Sequence, residues 1–106
     1  MAESSALPIA CDLGALSSEQ RVREQALLAE FRAVFQDPRE TDRGFIVVIP
    51  DDPALLSRLV EFLSLERLCC PFLTFDLSIP AERRPLTIHI HGQPGVKAFL
   101  RSAFFA

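Results

Sequence analysis

The sequence predicts an α+β fold: a two-layer domain in the order α-β-α-β-β-α, with a three-stranded mixed sheet and the helices mainly on one face. Three observations predict it. Two segments open on helix-capping signals and carry apolar residues at helical spacing, and a third segment shows that spacing at the C-terminus. Between them lie one wholly apolar run of strand length and two runs that alternate strictly. At 106 residues the chain makes one domain, and area scaling lets it bury about two-thirds of its unfolded surface without crosslinks.

Residues 1–16 read as an N-terminal arm and 17–106 as the domain. In the arm, Ile9, Cys11 and Leu13 alternate with Ala10 and Asp12, the pattern of a fourth, edge strand or of a strapped-down segment. Ser17 with Gln20 makes a capping box, and Leu27, Leu28, Phe31, Val34 and Phe35 then share one face of a helix over 18–35. Glu19 and Arg23 form an i,i+4 pair on its solvated side. Asp37 to Gly44 reads as a polar loop. Phe45-Ile-Val-Val-Ile49, bounded by Gly44 and Pro50, reads as a strand covered on both faces.

Asp52 and Pro53 supply an N-cap and a first-turn proline for a helix bearing Leu55, Leu56, Leu59, Phe62, Leu63 and Leu65, which must end near Cys69. Pro71 biases Cys70 away from the helical region. Leu73, Phe75, Leu77 and Ile79 then alternate with Thr74, Asp76 and Ser78, and Leu86, Ile88 and Ile90 with Thr87, His89 and His91. The short connection between these two runs predicts an antiparallel hairpin, and the helical crossover before it predicts that the strands on either side of it run parallel. Gly92 to Gly95 breaks the last strand, and Val96, Phe99, Leu100, Ala103 and Phe104 continue as a helix. Phe62 and Phe99 read as core residues.

A formal charge of −3, scattered basic residues and aromatics at core spacing argue against nucleic-acid binding. No apolar run approaches the roughly 20 residues that span a bilayer, and the first ten residues lack a basic leader region, so the expectation is a cytoplasmic protein with no membrane partner. No phosphate-loop lysine, nucleophile elbow or metalloprotease helix occurs, and no organic cofactor is expected.

Glu66-Arg-Leu-Cys69-Cys70-Pro71-Phe72 is the most unusual stretch. Adjacent Cα atoms sit about 3.8 Å apart, too close for an unstrained disulfide, so free thiols are expected. The helix C-terminus and the Glu66 carboxylate both disfavour a thiolate here, which argues against a nucleophilic cysteine enzyme. A soft ion supplies the missing positive charge, so metal binding survives that objection. Glu66, Cys69 and Cys70 at i, i+3 and i+4 share a side of the helix, and Glu66 continues an apolar stripe where a carboxylate needs a partner. Cys11 adds a third sulfur if the arm crosses the end of this helix. Against this stands the bland alternative of buried cysteines filling core space.

His89 and His91 project from one strand face about 6.6 Å apart, and pairing Ile79 with Leu86 sets Asp76 opposite His89 and Thr74 opposite His91. The three form a secondary candidate site, or simply the polar face of the sheet. An extended chain from Cys70 to Thr74 covers about 13 Å, so thiols and histidines are separate candidates.

At Ile9-Ala-Cys11-Asp-Leu13, Glu66-x-x-Cys69-Cys70-Pro71-Phe72-Leu73-x-Phe75 and Gly92-x-x-Gly95-x-Lys97-x-Phe99-Leu100, the chain resembles a group of small, largely uncharacterised bacterial proteins, some of them associated with heavy-metal response genes. The resemblance implies a thiol-dependent role carried by Cys11, Glu66, Cys69, Cys70 and Pro71, and does not extend to the histidines. The leading expectation is therefore a non-enzymatic protein that binds a soft ion (mercury, arsenic, copper(I) or zinc) through Cys69, Cys70, Cys11 and Glu66. The alternatives are a homodimeric interaction module with structural cysteines and, last, a thiol-redox enzyme.

Overall fold

The computed structural model describes residues 8–105. It is α+β, with three helices packed over one face of a four-stranded antiparallel sheet. A short 3-10 turn at Leu13–Ala15 precedes α1 (Ser18–Val34). The Ser17 hydroxyl accepts from the Gln20 amide at 3.1 Å while the Gln20 side chain accepts from the Ser17 amide at 2.9 Å, the reciprocal cap expected. β1 (Gln36–Glu40) and β2 (Gly44–Ile49) follow. α2 (Pro53–Cys69) starts under Asp52, whose carboxylate accepts from the Ala54 and Leu55 amides at 2.9 and 3.4 Å. β3 (Leu73–Ser78) and β4 (Leu86–Gly92) form the hairpin, and α3 (Val96–Ala103) opens behind Gly95 at φ 100°, a left-handed turn that suits glycine.

The strand order is β1-β2-β4-β3. β2 and β3 do run in the same direction, as the crossover requires, but β4 lies between them and pairs antiparallel with both. The expected mixed sheet is thus corrected: α2 carries the chain across one strand's width, and the returning hairpin strand fills the gap. The hairpin register is the one expected, with Asp76 opposite His89 and Thr74 opposite His91. The fourth strand is not the N-terminal arm but Gln36–Glu40, in the segment expected to be loop. Its residues are all exposed, and its pairing slips between Gln36 and Arg39, where Asp37 takes φ 52°. What holds it is outside the strand: Glu40 binds Lys97 at 2.9 Å and Arg101 at 2.6 Å, both from α3.

Residues 1–7 of the arm lie outside the described residues. From Pro8 to Asp12 the arm forms no strand; it is strapped across the domain, with Ile9 packed on the core. Phe45, Val47 and Ile49 of β2, with Leu86, Ile88 and Ile90 of β4, build the inner face of the sheet. Above it lie Leu27, Phe31, Leu55, Leu59, Phe62 and Leu100, with the Phe31 and Phe62 rings stacked at 5.3 Å. β2 is not covered on both faces: Ile46 and Val48 are half-buried on a side that carries no helix, opposite His89 and Thr87. Phe99 is also half-buried rather than core, edge-on to Phe72 at 5.0 Å. Arg23 is exposed, as expected of the solvated side, and from there bridges α1 to α2, gripping both carboxylate oxygens of Glu61 at 2.8 Å.

Candidate metal centre

The last turn of α2 places two sulfurs. Cys69 ends the helix, and Cys70, at φ −124° and ψ 65°, caps it by donating its amide to the Glu66 carbonyl at 2.7 Å. Pro71 stops helix propagation there. The Cys69 carbonyl, which has no partner within the helix, accepts from the Asp12 amide at 2.7 Å. That one main-chain bond lays the arm across the helix end and delivers the third sulfur. Cys11 Sγ lies 2.8 Å from Cys70 Sγ, and Cys69 Sγ lies 3.9 Å from Cys70 Sγ. All three sulfurs fall within 4.8 Å of one another. The cysteines are free, as expected; Cys69 and Cys70 are buried, and Cys11 is exposed.

Glu66 has the partner its position demanded. It is 2% exposed, and its Oε2 accepts from the Cys69 thiol at 3.1 Å. Its second neighbour is Glu24 of α1, itself 4% exposed and with a carboxyl oxygen within 4.8 Å, a residue that sequence reasoning missed. The signal was present: Glu24 lies three residues before Leu27 and seven before Phe31, on the buried stripe of α1, just as Glu66 lies on the stripe of α2. Glu24, Glu66 and Cys69 therefore form a second cluster continuous with the thiols.

Two carboxyls this deeply buried cannot both be charged without large expense. Burial raises the Glu66 carboxyl to about 8, with the neighbouring Glu24 and Cys11 charges acting the same way and the Cys69 thiol opposing. Burial likewise raises Glu24. Among the thiols the environment separates one from two. The neighbouring Cys69 and then Cys70 thiols hold the Cys11 thiol well below its usual range. Cys69 and Cys70 are pushed up, chiefly by the neighbouring Cys11 sulfur, with burial and Glu66 adding to it. Of the three sulfurs the outermost is therefore the easiest to ionise, and the two inner thiols are the harder ones.

The histidine cluster is separate, on the sheet face that carries no helix. Asp76 Oδ2 lies 2.7 Å from His91 Nε2 and 4.0 Å from His89 Nδ1, so the closer contact is diagonal to the directly paired residue. The rings lie 4.3 Å apart, and His89 Nε2 is 2.9 Å from the Thr41 hydroxyl. Burial, and then the neighbouring His91, lower the His89 pKa. Comparison with known proteins gave no match, whether to a family model, a curated protein or a solved structure.

Proposed function

We propose that this protein binds one soft metal or metalloid ion through the thiolates of Cys11, Cys69 and Cys70 and has no catalytic role. The observation that carries the reading is the convergence of the three sulfurs from two segments 59 residues apart, with one of them at the surface. Core filling accounts for Cys69 and Cys70; it gives no reason for an exposed cysteine to be strapped onto them by a main-chain hydrogen bond. Three thiolates without a histidine favour soft ions over magnesium, calcium or manganese. Cys11 is where an ion would first be met, because its sulfur is both accessible and the most readily ionised of the three. The ion's charge would then displace the protons of Cys70 and Cys69. Glu66, held protonated toward neutral pH by burial, would leave the thiolates to balance that charge. The resemblance to proteins near heavy-metal response genes accords with this reading.

The chain has no Trp or Tyr, so sulfur-to-metal charge-transfer bands stand on a low near-ultraviolet background. Titrating Hg(II), Cu(I) or As(III) into the reduced protein should raise such bands to saturation at one equivalent. Cys70→Ser should abolish them, and acidification should weaken binding as protons compete for sulfur. A folded, reduced protein that binds none of these ions stoichiometrically would overturn the reading.

The 2.8 Å separation of Cys11 and Cys70 favours one second reading, thiol oxidation. A hydroperoxide would accept two electrons: the Cys11 thiolate attacks the terminal oxygen and releases water or an alcohol, and the Cys70 thiol then displaces water from the sulfenic acid to form a disulfide. One equivalent of hydrogen peroxide should remove two thiols and link these residues in a peptide map; oxidation of Cys11 alone would count against it.

A further inference from the structure

We propose that Asp76 Oδ2, His89 Nδ1 and His91 Nε2 form a second, independent site for a divalent ion of the zinc class, with Thr41 holding His89 in the ligating tautomer. The site is built by sheet geometry. β4 points His89 and His91 to the same side because they are two residues apart, and the β3–β4 register sets Asp76 directly across from His89. One carboxylate oxygen serves both rings, at 2.7 Å from one and 4.0 Å from the other. The three donor atoms lie within 4.8 Å of one another. A tetrahedral ion with bonds of about 2.0–2.2 Å separates its ligand atoms by about 3.4 Å, between those two contacts. Seating it therefore asks only that the hydrogen bond between His91 and Asp76 open, through side-chain rotation on a fixed ladder.

Thr41 is the observation that a merely polar sheet face does not require. It comes from the β1–β2 turn, outside the hairpin, and its hydroxyl lies 2.9 Å from His89 Nε2. With Nε2–H donating to that oxygen, Nδ1 keeps its lone pair, and Nδ1 is the atom turned toward Asp76. Metal-binding histidines characteristically use their other ring nitrogen in this way. The side chains of Asp76, His89 and His91 are 64%, 32% and 28% exposed, so an ion can reach them from solvent and a fourth position stays open to water. Two imidazoles and a carboxylate suit zinc-class ions, whereas the all-sulfur site suits softer ones, so the two faces of the sheet would sort ions by ligand type.

The chain has two histidines, which makes the test direct. Zn(II) alone is titrated into the reduced protein and into Cys11→Ser, and the ring resonances of both histidines are followed by NMR. The expected result is that both sets move together and saturate at one equivalent in Cys11→Ser. Asp76→Ala should weaken the affinity at least about tenfold, and Thr41→Val about 10- to 100-fold, the range seen when such an orienting partner is lost. Ring signals that stay still would overturn the proposal. So would shifts that need millimolar zinc and ignore Asp76→Ala, or shifts that vanish in Cys11→Ser and so report the thiol site. Failure of soft-ion binding at the cysteines would leave these readouts unchanged.

Discussion

Replacing Glu66 by Gln should make the metal-free protein more stable at alkaline pH and leave it almost unchanged at acidic pH. The carboxyl is 2% exposed, so exchange with water does little to dilute the effect. Its proton affinity rises from an ordinary 4.5 to about 8 on folding. At 1.36 kcal/mol for each tenfold change, that amounts to roughly 5 kcal/mol. The sign follows from which state binds the proton. Below pH 4.5 the group is protonated in folded and unfolded chains alike and contributes no difference. As pH rises, the unfolded chain ionises first, and the folded state must either keep its proton or bury a charge; stability falls through this window and levels off above pH 8. Gln has the same shape and can still accept from the Cys69 thiol, but it cannot ionise. Urea melts of both proteins at pH 5 and pH 8.5, in reductant and without metal, report the loss of the Glu66 titration together with its effect on the neighbouring Glu24, while His89 titrates in both. We expect a gain of several kcal/mol for Glu66→Gln at pH 8.5 and under about 1 kcal/mol at pH 5, a large change for a domain whose total stability is about 5–15 kcal/mol. An equal gain at both pH values, or a variant less stable at pH 8.5, would refute the placement of a neutral carboxyl beneath the thiols.

Three further outcomes are expected. Phe62→Ala, which empties a fully buried site beneath Phe31, should lose about 3–5 kcal/mol, whereas half-buried Phe99→Ala should lose about 1–2 kcal/mol; equal losses in urea melts would contradict the packing. A thiol reagent should modify one cysteine in the folded apo protein and three after unfolding, and Cys11→Ser should remove the fast reaction; rapid modification of Cys69 would show that the helix end is open. Asp76→Asn should perturb the ring resonances of His91 more than those of His89, since the contacts are 2.7 and 4.0 Å, and the reverse order would mean a different side-chain arrangement.

Much of this was legible because local rules and tertiary demands agreed. The capping box at Ser17, the Asp52-Pro53 start of α2 and the alternation of the hairpin strands each carry their own signal, and the hairpin register follows from a short connection. Glu66 could be marked as buried because a carboxylate stood in an apolar stripe. Glu24 stood in an equivalent stripe on α1, but with polar residues around it the pattern is weaker, and only the packing of α1 on α2 reveals the pair. β1 could not be read from Gln-Asp-Pro-Arg-Glu, which has neither alternation nor β propensity and no buried residue. It exists because β2 offers an open edge and α3, distant in sequence, offers two cations to Glu40. The sheet order was hidden for the same reason: nothing local says whether the strand after a crossover lies beside its parallel mate or one place further on. The approach of Cys11 depends on one orphan carbonyl at a helix end, a contact that leaves no trace in composition or periodicity.

That main-chain bond between Asp12 and Cys69 also bears on how long a captured ion would stay. A hydrogen bond of this kind contributes about 0.5–1.5 kcal/mol net, and besides it the arm rests on the contact of half-buried Ile9 with the core, so the arm can lift while Cys69 and Cys70 remain fixed. For an ion held by all three sulfurs, release then has a stepwise route. The arm swings away with Cys11, the ion is left on two sulfurs, and an incoming thiol from solution can take the vacated place. Residence time would be governed by the opening rate of a tether rather than by unfolding of the domain, so the protein could hold its ion firmly at equilibrium and still surrender it quickly to an acceptor that competes for one ligand at a time.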